Sequence, residues 1–327
     1  MSATMTLNLS GRTNKGLPRV RRAQPHELPG FRLMARDRQI IRAVYEFRAL
    51  TTPQIERLFF PEGSLATAEV KSDAPLRLLN HRCQHRLKLL FHHGYLHREE
   101  RPQKRTEGSK PLVYYLDMMG AELLSREDEA ELDWDPTEAD VSSPFLEHLL
   151  LTNDLRIAVI VASRNLDVAV RAWIDDRALK SPHMKDYVTL TGSSGGTRQV
   201  AVVPDGYFLL NANRRSYHHF LEIDRGTVTA AYSKDGKRDW SHKVRAYNEY
   251  LASGKYEARY KTKTVRILTV TTGEKRMAHL KQITEATAGE TAFRFWFTTF
   301  DQISPETILT TPIWHIAGSD ERRPLLI

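Results

Sequence analysis

The sequence predicts an α/β (α+β) fold in two parts: an N-terminal winged helix-turn-helix and a C-terminal mixed sheet flanked by helices. Three observations predict it. Apolar residues recur at helical spacing in three segments before residue 92, and two short strand-like runs follow. Helical and strand-like segments alternate after residue 143. The length of 327 residues fits two domains of roughly 100 to 200 residues each.

The charge distribution divides the chain into a basic part, an acidic connector and a mildly basic part. Residues 1–118 hold 21 Lys/Arg against 11 Asp/Glu, residues 119–140 hold one against nine, and residues 141–327 hold 26 against 20. The basic first part predicts a polyanionic partner. Nucleic acid is favoured over a membrane, because no basic amphipathic helix with a bulky apolar face is present.

The composition excludes several classes of protein. Hydrophobic residues make up 41% of the chain, yet no apolar run approaches the roughly 20 residues of a membrane span. The single cysteine, Cys83, excludes an intramolecular disulfide and a four-cysteine zinc site. The first thirty residues hold no apolar segment of the signal-peptide type. We therefore expect a soluble cytoplasmic protein without membrane contact.

The first part is predicted to contain a flexible basic arm, three helices and a basic hairpin. In chain order these are the arm at 1–30, helices at 36–48, from 52 onward and at 76–91, and strands at 95–98 and 112–116. Thr52 is a suitable N-cap for the second helix, and Pro53 suits its first turn. This order predicts a winged helix-turn-helix over residues 31–118.

Cations concentrate on the third helix and on the loop of the hairpin. In a winged helix these two elements contact base edges in the major groove and backbone phosphates, respectively. The candidate DNA-binding residues are Asn80, Arg82, His85, Arg86 and Lys88 on the helix and Arg101, Lys104, Arg105 and Lys110 in the loop. We expect salt-dependent binding of double-stranded DNA. Charge reversal at Arg82 and Arg86 is expected to weaken it without harm to the fold; a protein-binding winged helix is the alternative.

The connector and the second part follow from turn signals and alternating periodicity. A helix and an acidic linker are predicted over residues 119–143, and the second domain over 144–327. Its predicted helices lie at 144–164, 237–253 and 275–288, and its strands at 168–174, 199–210, 219–224, 265–271 and 293–298. The residues after 255 are expected to complete its core.

Two carboxylates on neighbouring predicted strands form the candidate catalytic and metal site. Asp205 lies on one strand and Glu222 on the next, and a polar turn at residues 211–217 separates them. If the strands pair as a hairpin, the two side chains lie about 5 Å apart. Paired carboxylates suit Mg²⁺ or Mn²⁺. Glu147 on the preceding helix is a candidate third carboxylate; ordinary surface charge is the alternative interpretation of all three acids.

Motifs in both parts follow one another in a specific order. They are Arg36-Asp37, Leu50-Thr51-Thr52-Pro53-Gln54-Ile55, Gly94-Tyr95-Leu96, Tyr115-Leu116 before Gly120, and Phe220-Leu221-Glu222-Ile223-Asp224-Arg225-Gly226-Thr227. In this order the chain resembles, over residues 31 to about 255, the replication-relaxation family of plasmids and other mobile elements. Its second part resembles the PD-(D/E)xK nuclease-like fold.

The resemblance implies a role in plasmid replication, transfer or regulation, with double-stranded DNA as the partner. A homodimer and a protein partner from a replication or transfer complex are compatible with it. Active members of the nuclease superfamily carry a lysine two residues after the second acid; Asp224 stands there in this chain, and Lys243 is the candidate displaced lysine. Two hypotheses follow: a DNA-binding protein with a degenerate nuclease-like domain, or a Mg²⁺- or Mn²⁺-dependent site-specific endonuclease that uses Asp205 and Glu222.

Overall fold

A computed structural model describes residues 21–61, 80–101, 110–135, 143–192, 195–226 and 239–326. The chain divides into two units, Met1–Val141 and Ser142–Ile327. Helices and mixed sheets are both present, so the predicted mixed α/β class is confirmed. Within the described ranges, no helix combines the length and the apolar character that crossing a lipid bilayer requires.

The described residues of the first unit form a small sheet and four helices of more than one turn. In chain order the elements are α1 (Ala35–Phe47), β1 (Leu50–Thr51), α2 (Thr52–Phe59), α3 (His81–His92), β2 (Leu96–Glu99), β3 (Val113–Leu116) and α4 (Met118–Asp128). The strands pair antiparallel in the order β1-β3-β2. Ile41, Ile55 and Leu87, one from each of the first three helices, are fully buried in the core. The winged-helix assignment stays a prediction, because residues 102–109, the predicted wing loop, lie outside the described part of the chain.

The second helix begins at a capping box. The backbone N–H of Gln54 donates to the Thr51 hydroxyl at 3.4 Å, and the Thr51 N–H donates to the Gln54 side chain at 2.9 Å. These reciprocal bonds satisfy two donors that the first turn leaves without intrahelical partners. Thr51 is therefore the N-cap, one residue before the predicted Thr52.

The second unit is built around one mixed sheet. Its elements are α5 (Ser143–Asn165), β4 (Ala169–Asp175), α6 (Asp176–Lys180), β5 (Asp186–Thr191), β6 (Thr197–Val202), β7 (Gly206–Ala212), β8 (Arg215–Asp224), α7 (Trp240–Ala252), α8 (Lys255–Tyr260), β9 (Arg266–Thr271), α9 (Glu274–Ala288), β10 (Phe295–Thr299), β11 (Trp314–Ile316) and β12 (Arg322–Arg323). Seven strands pair in the order β12-β11-β10-β9-β8-β7-β4. Strands β4, β7 and β8 form an antiparallel meander, whereas β8, β9 and β10 are parallel.

Both faces of this sheet are covered. Successive side chains on a strand point to opposite faces, so Phe220 packs in a cluster with residues of α7 and α9, and Leu221 packs in a second cluster with residues of α5. The C-terminal residues extend the same sheet: Phe295 and Phe297 on β10 are fully buried. Phe293, just before β10, is 58% exposed.

One predicted strand is two strands in the structure. The predicted strand at 199–210 is interrupted between the end of β6 and the start of β7 by residues 203–205. Pro204 lies in this interruption, and proline has no N–H to donate to a ladder. Strand β6 pairs instead with β5, which the sequence analysis did not predict, in a separate two-stranded sheet. We call residues 186–202 the β5–β6 arm.

The turn between β7 and β8 fixes their register. It consists of Asn213 and Arg214, whose φ angles of 50° and 60° lie in the left-handed region. A two-residue hairpin turn with positive φ at both positions matches the twist of the flanking strands. The pairing runs from Ala212↔Arg215 to Gly206↔Leu221, which gives a tighter turn than the predicted one at residues 211–217.

Candidate functional site

The hairpin places Asp205 and Glu222 next to each other. Asp205 directly precedes β7, and its backbone N–H donates to the carbonyl of Leu221 at 2.9 Å. Its carboxylate accepts a hydrogen bond from the backbone N–H of Ile223 at 2.8 Å. Asp205 therefore extends the ladder by one position, opposite Glu222, as the hairpin hypothesis expected.

Glu222 is buried and bound by two residues of α7. Its carboxylate accepts hydrogen bonds from the ammonium group of Lys243 and the hydroxyl of Tyr247. These two residues are four positions apart and so share one face of the helix. Burial raises the pKa of Glu222 to about 7, despite the opposing effect of the Lys243 charge. Burial alone would lower the pKa of Lys243, but the charges of Glu222 and Asp205 and the hydrogen bond with Glu222 together hold that pKa above its usual value.

Asp205 has its own cationic partner on α5. The imidazole Nε2 of His148 lies 3.1 Å from Asp205 Oδ1. Burial raises the pKa of Asp205, but the hydrogen bond with His148 and the Lys243 charge outweigh it, so the pKa lies below its usual value. Burial lowers the pKa of His148, and the contact with Asp205 outweighs that effect and raises it. Each acid of the pair is thus neutralised by a residue of this chain.

Asp224, at the position where the nuclease resemblance implies a lysine, is held by other residues. Its carboxylate accepts two hydrogen bonds from the guanidinium of Arg276, both at 2.9 Å, and one from the Thr271 hydroxyl at 2.6 Å. Burial raises the pKa of Asp224, but the bonds from Arg276 and Thr271 outweigh it and lower the pKa. Asp224 therefore joins β8 to β9 and α9.

The structure brings together three of the four candidate catalytic residues: Asp205, Glu222 and Lys243. Glu147 is half-buried on α5, and its neighbour His148 is the residue that contacts Asp205. Within the described ranges, no group of three or more His, Cys, Asp or Glu side chains is arranged to hold a metal ion.

A divalent cation therefore does not fit the site as it is arranged. Both oxygens of Glu222 accept bonds from Lys243 and Tyr247, and Asp205 is engaged by His148 and a backbone N–H. A cation would have to compete with these donors for the same oxygens. The buried carboxyl of Glu222, with its pKa near neutrality, is instead suited to hold or release a proton beside Lys243.

Sequence reasoning missed His148 and Tyr247. The spacing of Tyr247 from Lys243 is a helical signal that was present in the sequence. For His148 no such signal exists. Helix periodicity alone does not show whether Glu147 or His148 faces a strand that follows much later in the chain. The side chains of His148 and Tyr247 both bind the acids directly.

The candidate DNA-binding residues of α3 divide into an exposed group and a structural group. Arg82 and His85 are exposed, and Lys88 is half-buried. Asn80 is the N-cap of α3: its side chain accepts a hydrogen bond from the Cys83 N–H at 3.1 Å. The predicted helix at 76–91 is described from His81 onward, since residues 76–79 lie outside the described part.

Arg86 lies inside the first unit. Its Nε donates to Oδ1 of the buried Asp37 at 2.9 Å, its Nη2 donates to Oδ2 of the same carboxylate, and the guanidinium lies 4.7 Å from the ring centre of Phe31. Asp37 in turn accepts from the Met34 N–H at the start of α1, at 2.7 Å. These contacts argue against the expectation that Arg86 can be reversed in charge without harm to the fold.

The candidate residues of the wing lie at the limits of a described range. Arg101 and Lys110 are both half-buried. Lys104 and Arg105 lie outside the described residues. Their contribution to DNA binding stays a prediction.

Similarity to a known protein family extends over both units of the chain. The sequence model of one family, Replication-relaxation, matches residues 41–265. No curated protein matches. Restriction endonuclease FokI is similar over 82% of this chain and 42% of its own, with 12% identity and a TM-score of 0.24. FokI bound to DNA is similar over 82% and 44%, with 11% identity and a TM-score of 0.22. The chain thus spans less than half the length of these structures. Because the family match covers more than half of the residues and runs through both units, the chain belongs to the replication-relaxation family.

Proposed function

We propose that this protein binds double-stranded DNA of a plasmid or other mobile element in the cytoplasm, through α3, and acts in its replication, transfer or regulation. The observation that carries the proposal is the exposed face of α3. His81, Arg82 and His85 are exposed on it, and α3 contains no acidic residue. A cationic helix face without acids attracts phosphates, and arginine can also contact base edges.

Two cations of α1 are neutralised within the first unit. Arg38 and Arg42 on α1 form ion pairs with Glu127 and Asp128 at the end of α4. Their charge is therefore balanced within the unit. The free thiol of Cys83 is buried, which suits the reducing cytoplasm that the proposal assigns.

For the second unit, we infer a nuclease-like site that is silent. The meander β4-β7-β8, followed by α7 and the parallel strand β9, supports the nuclease-like assignment, and the internal partners of both acids support silence. The second candidate is the metal-dependent endonuclease. The contact of Lys243 with Glu222 favours it, because a lysine beside the second acid is what active members of that superfamily have.

The DNA-binding proposal is tested by fluorescence anisotropy with a labelled duplex from the region upstream of the protein's own coding sequence. We expect Arg82→Glu to weaken binding about tenfold and to lower the slope of log affinity against log salt by about 1. Arg126→Glu, the same charge change on α4, is the matched control. The stoichiometry of the titration tests the expected homodimer. Equal affinity of Arg82→Glu and the unmodified protein at matched salt would remove α3 as the binding element.

A plasmid assay separates the two candidate roles of the second unit. Supercoiled plasmid carrying the same upstream region is incubated with Mg²⁺ or Mn²⁺ and with the unmodified protein, Asp205→Ala or Glu222→Ala. We expect intact, gel-shifted plasmid with all three proteins. Nicked or linear plasmid that disappears with both variants would instead establish the endonuclease.

A further inference from the structure

A cavity of about 520 Å³ opens beside Glu222 in the second unit. Its walls come from Lys180 at the end of α6, Lys185 just before β5, residues 200–203, β8, α7 and α9. The volume lies in the range of about 300 to 1,000 Å³ that is usual for sites of small organic groups. It therefore admits a group the size of one nucleotide.

The cavity is lined by more lysine and arginine side chains than carboxylate side chains. Among the lining residues, Glu222 is bound by Lys243 and Asp224 by Arg276. The third acid, Asp239, is the N-cap of α7 and accepts from the His242 N–H at 2.8 Å. All three carboxylates are thus engaged by neighbouring groups of the second unit.

Two further lysines line the same cavity. Lys180 is exposed and forms an ion pair with the half-buried Asp176 at 2.6 Å, one helical turn away. An ion pair near the surface contributes little to stability, so a bound phosphate can take the place of Asp176 at this lysine. Lys185 lies over the ring of Tyr187, 5.6 Å from its centre, and no ion pair of Lys185 is found within the described ranges. These two ammonium groups are the ones available to an anionic ligand.

The lysine-bearing wall is anchored to the helices that lie beside it. Asp186, the residue after Lys185, accepts hydrogen bonds from the Tyr250 hydroxyl at 2.6 Å and from Arg259 at 2.6 and 2.7 Å. The arm is thereby tied to α7, which carries Lys243. Lys185 and the pair of Glu222 and Lys243 are therefore held in fixed positions relative to each other.

Part of the cavity wall is apolar. It is formed by residues 200–203, by Ala246 and by Trp240. An anionic group with an apolar neighbour matches a nucleotide, whose phosphate is charged and whose sugar and base have apolar faces. Inorganic phosphate would leave this wall without a partner.

We propose that the cavity binds one nucleotide unit of a single DNA strand, with Lys180 and Lys185 on the phosphate and the apolar wall against the sugar and base. The inference deepens the proposed DNA binding and rests on it. It assigns the second unit a strand-binding role that requires neither cleavage nor a metal ion.

The test uses the full chain in an Arg82→Glu background, so that the contribution of α3 is reduced. The probe is a fluorescein-labelled single strand about 12 nucleotides long. We expect Lys180→Gln with Lys185→Gln to lower affinity about tenfold and the salt slope by about 0.7, because one phosphate is no longer neutralised. Lys261→Gln with Lys263→Gln, two exposed lysines of the same unit outside the cavity, is the control and should leave both values unchanged.

Three outcomes would overturn the inference. The first is unchanged affinity and salt slope in the variant with both cavity lysines replaced. The second is an equal loss of affinity in the control variant. The third is complete displacement of the strand by millimolar inorganic phosphate, which would indicate a site for free anions. Both proposals are supported if Arg82→Glu loses duplex binding and the single strand still binds to that variant through Lys180 and Lys185. A cavity variant without effect, beside an Arg82→Glu variant that loses duplex binding, would remove this inference and leave the proposed function standing.

Discussion

The ammonium group of Lys243 on α7 lies against the carboxylate of Glu222 on β8, although the Lys243 side chain is only half-buried and the Glu222 side chain is fully buried. The exposed fractions of the two side chains are 41% and 2%. The ammonium group can therefore turn toward solvent or toward another anion, whereas the carboxylate has no such freedom. The two partners consequently respond differently to substitution.

Replacement of Lys243 by Met is expected to act in a pH-dependent way. Without the ammonium group, the buried carboxylate of Glu222 loses its cationic partner, and its pKa rises further. At pH 5 the carboxyl is protonated with or without Lys243, and the free energy of unfolding should change little. At pH 8 we expect a loss of about 2 kcal/mol, less than for a fully buried pair because Lys243 is partly exposed. Urea unfolding at the two pH values measures it, and an equal loss at both would contradict it.

Glu222→Gln is expected to change the pH dependence of stability. The pKa of Glu222 is about 7 in the folded protein, above its ordinary value of 4.5. Between these values the folded state holds a proton that the unfolded state has lost, so stability falls as pH rises from about 4.5 to about 7. The unfolding free energy of Glu222→Gln, relative to the unmodified protein, should rise by roughly 2 to 3 kcal/mol over this window. A constant difference across the window would show that Glu222 does not titrate there.

His219 is expected to destabilise the second unit in acid. It is fully buried on β8, stacked on Phe208 with ring centres 4.5 Å apart. Burial and the Arg266 charge lower its pKa well below the ordinary value of 6.5. Below about pH 6.5 this histidine is therefore protonated in the unfolded state but not in the folded state. The free energy of unfolding falls as pH drops below this value, by up to about 1.4 kcal/mol per pH unit.

The measurement compares His219→Phe, which keeps the ring contact, with the unmodified protein in thermal unfolding at pH 5 and pH 7.5. The loss of stability between the two pH values should be smaller in His219→Phe. His279→Gln, an exposed histidine on α9, should behave like the unmodified protein. A pH dependence that His219→Phe leaves untouched would assign the acid sensitivity to other groups.

Arg86→Ala is expected to destabilise the first unit by about 3 kcal/mol, because it leaves the carboxylate of Asp37 buried without its guanidinium. Arg82→Ala, on the exposed face of the same helix, should change stability by less than about 0.5 kcal/mol. Calorimetry of the full chain follows the transition of the first unit. Similar effects of the two substitutions would contradict the different roles that their surroundings give them.

The sequence predicted those parts of the site that depend on local geometry. The proximity of Asp205 and Glu222 follows from a short antiparallel connection, because a hairpin brings residues at matching distances from the turn together. Lys243 was a candidate for the displaced lysine because it lies on the next predicted helix. Helix periodicity and turn signals likewise gave α1, α5, α7 and α9 close to their observed bounds.

The remaining parts depend on tertiary packing. Whether Glu147 or His148 meets Asp205 is decided by the rotation of α5 about its axis, which its packing on the sheet sets. The role of Arg86 depends on Asp37, 49 residues earlier in the chain. The interruption between β6 and β7 at Pro204 could have been predicted from the sequence, since a proline within a predicted strand argues against an unbroken ladder.

The two-residue turn at Asn213 and Arg214 sets the register of β7 and β8 and thereby the face of the sheet on which Glu222 lies. Side chains alternate between the faces of a strand, so a register shift of one residue exchanges the two faces. One residue added between Gly206 and Leu221 would direct Glu222 into the layer of α5, away from Lys243. We therefore expect members of the family to vary in the sequence of this turn far more readily than in the number of residues between these two positions.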